Sequence, residues 1–162
     1  MSDVSNEKIQ AYEQAAYFVL KKHEFDLHPD NIDFRVYCKQ NNQFIDTLLE
    51  RLQLSSWALV TAWNPESSDT IPMEENKAQN ASLICDIQKQ QHFHIRYGFG
   101  AARNYDPQKS PSEQKDVIWS PEESFLILGI SRESAIMLGK KYRQNAILFG
   151  EKHGLAELVL CR

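Results

Sequence analysis

The sequence predicts a single domain of the α/β or α+β class, with a mixed β-sheet of about six strands and about four helices packed on it. Three observations carry this. The chain has 162 residues, the size of one ordinary domain, and no repeat, low-complexity tract or linker divides it. Segments with apolar residues at helical spacing alternate with segments at the two-residue period of strands. Two runs, 57–63 and 125–130, are apolar on both alternating faces, a pattern that belongs inside a sheet covered on both sides.

Ile9, Tyr12, Ala16, Val19, Leu20 and His23 recur at helical spacing and predict a first helix over about 6–22. His28-Pro29-Asp30-Asn31 is a turn signal. Ile32, Phe34, Val36 and Cys38 alternate with Asp33, Arg35 and Tyr37, the period of a half-buried strand. After the cap residues Asn41 and Asn42, the apolar positions Phe44, Ile45, Leu48, Leu49 and Leu52 predict a second helix. The 57–63 strand, apolar but for Thr61, is stopped by Asn64-Pro65, since proline cannot donate to a ladder. Pro72 with Glu74 and Glu75 opens a third helix that runs to about residue 91.

The 93–99 strand has two different faces, Phe93, Ile95, Tyr97 and Phe99 on one and His92, His94 and Arg96 on the other. The stretch 100–117 lacks apolar periodicity, and a structureless segment of that length in a compact domain is usually functional or mobile. After the 125–130 strand, Ser131 caps a fourth helix ending near Arg143, with Lys140, Lys141 and Arg143 where the helix dipole favours cations. The segments 145–149 and 155–160 flank Gly150-Glu151-Lys152-His153-Gly154 as a closing hairpin.

Composition excludes several classes of function. With 18 basic and 22 acidic residues the net charge is −4, which argues against a dedicated nucleic-acid binder. The Lys140-Lys141-Tyr142-Arg143 run is explained by its place at a helix C-terminus. No apolar run approaches the ~20 residues that span a bilayer, and the N-terminus lacks the basic start and apolar core of a signal peptide. The three cysteines are widely spaced, so a cytoplasmic location is expected and a disulfide framework is not. No P-loop, G-x-S-x-G elbow or H-E-x-x-H motif is present, and no cofactor is expected.

Thr61-Ala62-Trp63-Asn64-Pro65, Glu75-Asn76 with Asn80 and Leu83, Gly98 and Gly100, Trp119, Glu123-Ser124-Phe125, Leu128-Gly129-Ile130 and Gln144-Asn145-Ala146-Ile147 stand in order over the C-terminal two-thirds. Through these residues the chain resembles a family of uncharacterised bacterial proteins, a domain-of-unknown-function family. The resemblance implies candidate residues and no reaction.

The candidate site lies around the end of the 57–63 strand. Asn76 and Asn80 share a face of the third helix and point toward the sheet, near Asn64. Carboxamides offer donors and acceptors without charge, which suits a polar ligand in a partly dry pocket. The alternative is that they satisfy internal backbone groups, Asn80 deeper and costly to remove, Asn76 nearer the loop and cheap. Arg96 is the candidate for holding an anionic group, and Glu123, at the entrance of the 125–130 strand, for proton transfer. His92 and His94 have the spacing of two metal ligands but lack a third, so no metal is expected. A small polar or anionic ligand bound by Asn64, Asn76, Asn80 and Arg96, with Glu123 as the catalytic candidate, is the leading expectation. A protein-interaction module using the 100–117 loop and the region of Trp119 is the alternative.

Overall fold

The computed structural model describes residues 4–90, 92–115, 117 and 119–162. Among them, helix α1 (Asn6–Gln14) is followed by strand β1 (Ala16–Leu20), β2 (Ile32–Tyr37), α2 (Gln43–Leu52), β3 (Ser56–Val60), α3 (Met73–Gln88), β4 (His94–Ala101), β5 (Glu122–Leu128), α4 (Arg132–Lys141), β6 (Ala146–Glu151) and β7 (Glu157–Leu160). The strands form one seven-stranded sheet in the order β2-β1-β4-β5-β3-β6-β7. The sequence pattern allowed a mixed sheet; all six ladders are antiparallel, and the fold is α+β.

The two runs expected inside the sheet are there. β3 lies between β5 and β6, and β5 between β4 and β3. The 57–63 run leaves the ladder at Val60, and the strand expected over 125–130 begins earlier, at Glu122, and ends at Leu128. Ser131 and Asn42 cap α4 and α2, each side chain accepting a backbone N–H three residues on.

The first predicted helix is corrected. α1 ends at Gln14, Ala15 adopts extended backbone (φ −63°, ψ 152°), and Ala16–Leu20 is a strand between β2 and β4. The β-branched and aromatic run Tyr17-Phe18-Val19 fits a pleated surface. Both of its faces are covered, so no two-residue alternation remains in the sequence, and Ala16, Val19 and Leu20 meet the helical template by coincidence. Tertiary pairing decides the outcome.

In an antiparallel pair, directly opposed residues share a face. Register therefore sorts the core into two layers. α2 covers one face, Ile45 and Leu49 packing among Trp57, Leu59, Leu126, Leu128 and Leu148. α3 and α4 cover the other, Leu83, Ile87 and Ala135 packing among Val60, Phe125, Ile127, Ile147 and Phe149. Near β1 on that second face, Phe18 stacks on Phe99 with ring centroids 4.6 Å apart.

On the α2 face the register places Tyr17, Gly100 and Glu122 in one row and Val19, Gly98 and Ser124 in the next. Two glycines thus run down the middle of the sheet where side chains would otherwise project. Gly98 is demanded by the backbone, since a Cβ there would stand 2.5 Å from the carbonyl oxygen of Phe18. Gly98→Ala should force the β1–β4 ladder apart and lower stability by about 1–3 kcal/mol, the usual range for an overpacked core; urea denaturation measures it, and an unchanged midpoint would contradict the close approach.

Candidate functional site

Above Gly100 the α2 face opens into a cavity of about 290 Å³. Its floor is Gly100 with Glu122 and Ser124 of β5; Tyr17 and Trp119 border it, and Lys8, Ala11, Tyr12 and Ala15 bring the α1 segment to its rim. Leu59, Leu148 and Leu158 make it mostly apolar. The position above Gly100 is open: a Cβ there would meet the Tyr17 ring at 3.4 Å and the Trp119 indole at 3.9 Å, ordinary contact distances. Glycine at this point leaves space that the backbone does not require.

The polar wall is built by the exit of β3 from the sheet. Asn64 follows Val60 by four residues in left-handed backbone (φ 46°, ψ 66°), which asparagine tolerates better than most side chains. Its peptide N–H donates to Asn76 Oδ1 at 2.8 Å. A backbone N–H can only donate, so Asn76 Nδ2 must face the other way, and it donates to Asn64 Oδ1 at 2.7 Å. Asn64 Nδ2 in turn donates to Glu122 Oε1 at 2.9 Å. The direction of the whole relay is fixed by one peptide group.

Glu122 is largely buried, and burial pushes its carboxyl up to about 7, against the opposing hydrogen bond from Asn64. Its Oε2 has no protein partner among the described residues. Two residues on and on the same face, Ser124 is 6% exposed, and its Oγ is buried with no hydrogen-bond partner. Tyr17 donates its hydroxyl to the Tyr12 carbonyl, and its own titration is pushed upward, chiefly by burial. At the rim, Tyr12 and Ser67 bond through their hydroxyls and Asn145 Nδ2 donates to both. Gln144 Nε2 donates to the Trp63 and Tyr142 carbonyls, each at 3.2 Å, which leaves Oε1 as the uncommitted atom of that amide.

The model for a protein family of unknown function, DUF3293, matches residues 60–147, more than half of the chain. The chain belongs to the DUF3293 family. No curated protein and no solved structure matches it. The DUF3293 segment holds the glycine floor, Asn64, Asn76, Trp119, Glu122, Ser124 and Gln144, whereas α1 and β1, with Tyr12 and Tyr17, lie outside it.

The expected site residues fall in three places. Asn64 lines the cavity. Asn76 reaches it only through Asn64, and Asn80 not at all: its Oδ1 accepts the Ala62 N–H and its Nδ2 donates to the Glu123 carbonyl, both at 2.8 Å. Glu123 points to the opposite face from Glu122, where Lys77 stands 3.6 Å from its carboxyl and partly offsets the upward push of burial. Arg96 sits on the cavity face but about 13 Å along β4 from Gly100, at 3.3 Å per residue, with its Nη2 donating to the Leu20 carbonyl and to Asp33, each at 2.8 Å. His94 is exposed, and no group of three or more metal-ligating side chains gathers among the described residues.

Sequence reasoning passed over Glu122 and Tyr17, and gave Gly100 and Ser124 only among the residues of the family resemblance. A signal for them was present in this DUF3293 member: two glycines two apart inside a strand mark a place where something approaches the backbone closely, and Glu122 and Ser124 are two apart, hence on one face, at the start of a strand that is apolar from Phe125 on.

Two outcomes follow. Asn76 and Asn80 are each 2% exposed and both amide ends are engaged, so Asn76→Ala and Asn80→Ala should each lose about 1–3 kcal/mol in chemical denaturation, in place of the cheap Asn76 expected from sequence. For Glu122 the folded-state value near 7 lies above the usual carboxyl value of 4.5, so the folded state binds the extra proton and stability falls as pH rises between the two. Lys8 and Tyr12 from α1, Tyr17 from β1 and Asp69 from the β3–α3 loop are the other ionisable groups lining this cavity. Glu122→Gln should therefore match the parent near pH 4.5 and exceed it by about 1–3 kcal/mol at pH 8; denaturation across that range checks it, and a less stable variant at pH 8 would refute it.

Proposed function

We propose that this chain binds a small molecule in the glycine-floored cavity, with Glu122 as the group that exchanges a proton with it. The observation that carries this reading is a buried, unpartnered hydroxyl, Ser124 Oγ, beside a buried carboxyl with one free oxygen, both facing the same cavity. Buried polar groups are ordinarily paired, and an orphan costs about 1–3 kcal/mol. Groups left open at this cost, in a pocket with a carboxyl tuned to near neutrality, have the character of a binding or catalytic site. The volume suits a compact ligand, at the small end of the usual ~300–1,000 Å³.

The anionic ligand expected from Arg96 loses its support, because that guanidinium is engaged elsewhere. The protein-interaction alternative draws less support too: Trp119 lines the cavity, and Gln114 ties the 100–117 loop to itself through Asp106 and Lys109. A reducing cytoplasm is consistent with free Cys38, Cys85 and Cys161, and no helix among the described residues is long and apolar enough to cross a membrane.

The test is a thermal-shift screen of small metabolites with the parent and with Gly100→Leu, which fills the space between Tyr17 and Trp119. A ligand specific to the folded state adds about 2.7 kcal/mol at 100 times its Kd. At least one compound should raise the parent melting temperature and leave Gly100→Leu unmoved. Shifts of equal size in both proteins would place the ligand outside the cavity and end this reading.

A further inference from the structure

The hydrogen-bonding groups of the cavity are unevenly spent. Most of its N–H and O–H donors are committed: Asn64 Nδ2 to Glu122, Gln144 Nε2 to two carbonyls, the Tyr17 hydroxyl to the Tyr12 carbonyl, and Thr61 Oγ1 to the Glu123 carbonyl. The Trp119 indole N–H and the Ser124 hydroxyl have no partner among the described residues. The orientation of these amides is forced, since Gln144 faces two carbonyl oxygens and the Asn64 relay is set by a peptide N–H. Acceptors remain. Glu122 Oε2 and Gln144 Oε1 have no protein partner among the described residues, and Ser124 Oγ, which can accept as well as donate, has none either.

An occupant that leaves few groups unpaired must therefore bring donors and few acceptors. It must also be flat or slender enough to lie on glycine between two aromatic side chains, and largely apolar where it meets Leu59, Leu148 and Leu158. A carboxylate or phosphate fails on the first count, because it brings acceptors and would set an anion against Glu122 with no cation beyond Lys8 at the rim. Resting on the reading of this cavity as a ligand site, we propose that its ligand is a compact nitrogen base, an aromatic aminoheterocycle or amidine, bound as a cation with its N–H edge on Glu122 and Ser124 and its ring against Tyr17 and Trp119. The ion pair and the N–H bonds then come from one planar edge, and the aromatic borders favour a delocalised cation over an aliphatic one.

Isothermal titration at pH 8, where Glu122 is mostly ionised, tests this with two flat bicyclic probes, 2-aminobenzimidazole and indole-2-carboxylate. The aminoheterocycle should bind the parent measurably and the carboxylate should not. Glu122→Gln should weaken the aminoheterocycle by roughly 10- to 100-fold, the loss of one charge-assisted hydrogen bond. Gly100→Leu should abolish binding while circular dichroism shows both variants folded. Binding of the carboxylate alone would overturn the nitrogen-base assignment and leave the cavity reading standing. Equal affinity of parent and Glu122→Gln for the aminoheterocycle would overturn the assignment as well. Binding of neither probe, with no hit in the metabolite screen, would remove both.

Discussion

The arrangement depends on how the chain leaves the centre of its own sheet. β3 is an interior strand, and beyond Val60 the peptide groups of Ala62 and Asn64 no longer face a ladder. A buried N–H without a partner is expensive, and α3 supplies the partners one helical turn apart, Asn80 for Ala62 and Asn76 for Asn64. The two asparagines act as a substitute strand edge. Because the second of them also grips the Asn64 side chain, the same bonds that end the strand orient Asn64 toward Glu122. Support of the backbone and preparation of the carboxyl are one device.

The cavity exists because the sheet is under-filled on one face. Elsewhere on that face large side chains meet α2, but along the row of Tyr17, Gly100 and Glu122 the middle strand contributes nothing beyond its backbone. Gly98 is explained by the approach of the Phe18 carbonyl; Gly100 is not explained by packing, since a methyl group would fit. A residue that gives up both packing and strand propensity without a steric reason supports the proposed reading of the cavity as a ligand site. The unpaired Ser124 hydroxyl and the burial of Glu122 point the same way, because both lower stability and neither is repaired locally.

Much of the architecture was legible in the sequence where a pattern has one meaning. Residues 57–60 and 125–128 are apolar on both faces because helices cover both faces, and the Gly150–Gly154 region turns a hairpin between β6 and β7 as its glycines indicate. Residues 16–20 were misread because the same double coverage erases strand periodicity in a short run. The site was legible only in part. Asn64, Asn76 and Asn80 were drawn to the right strand end, yet which amide faces the cavity depends on peptide groups that sequence does not display. Glu123 and Glu122 differ by one position, and one position in a strand reverses the face. Only the pairing of Gly100 with Glu122 and of Phe99 with Glu123 decides between them. Arg96 was on the expected face of β4, but distance along a strand and the presence of Asp33 on β2, two strands away, are tertiary facts.

The division between the family segment and the rest of the chain carries a physical consequence. The matched residues 60–147 contain the relay and the floor, but one aromatic border, Tyr17, and the α1 rim come from before it. α1 buries no residue of its own. Of its attachments to distant parts of the chain, those of Lys8 to the Glu66 carbonyl and of Tyr12 to Ser67 and Asn145 come from residues at the cavity rim, and Glu13 pairs with Lys39 away from it. Hydrophobic burial therefore gives little reason for this helix to be where it is; Lys8, Ala11 and Tyr12 place it on the rim of the cavity that holds Glu122, whose burial raises its carboxyl to about 7. The proton affinity of Glu122 is thus set by two opposed effects, lowered by the hydrogen bond from Asn64 and raised by burial in the cavity. The balance between them, rather than either alone, leaves Glu122 able to hold or release a proton near neutrality.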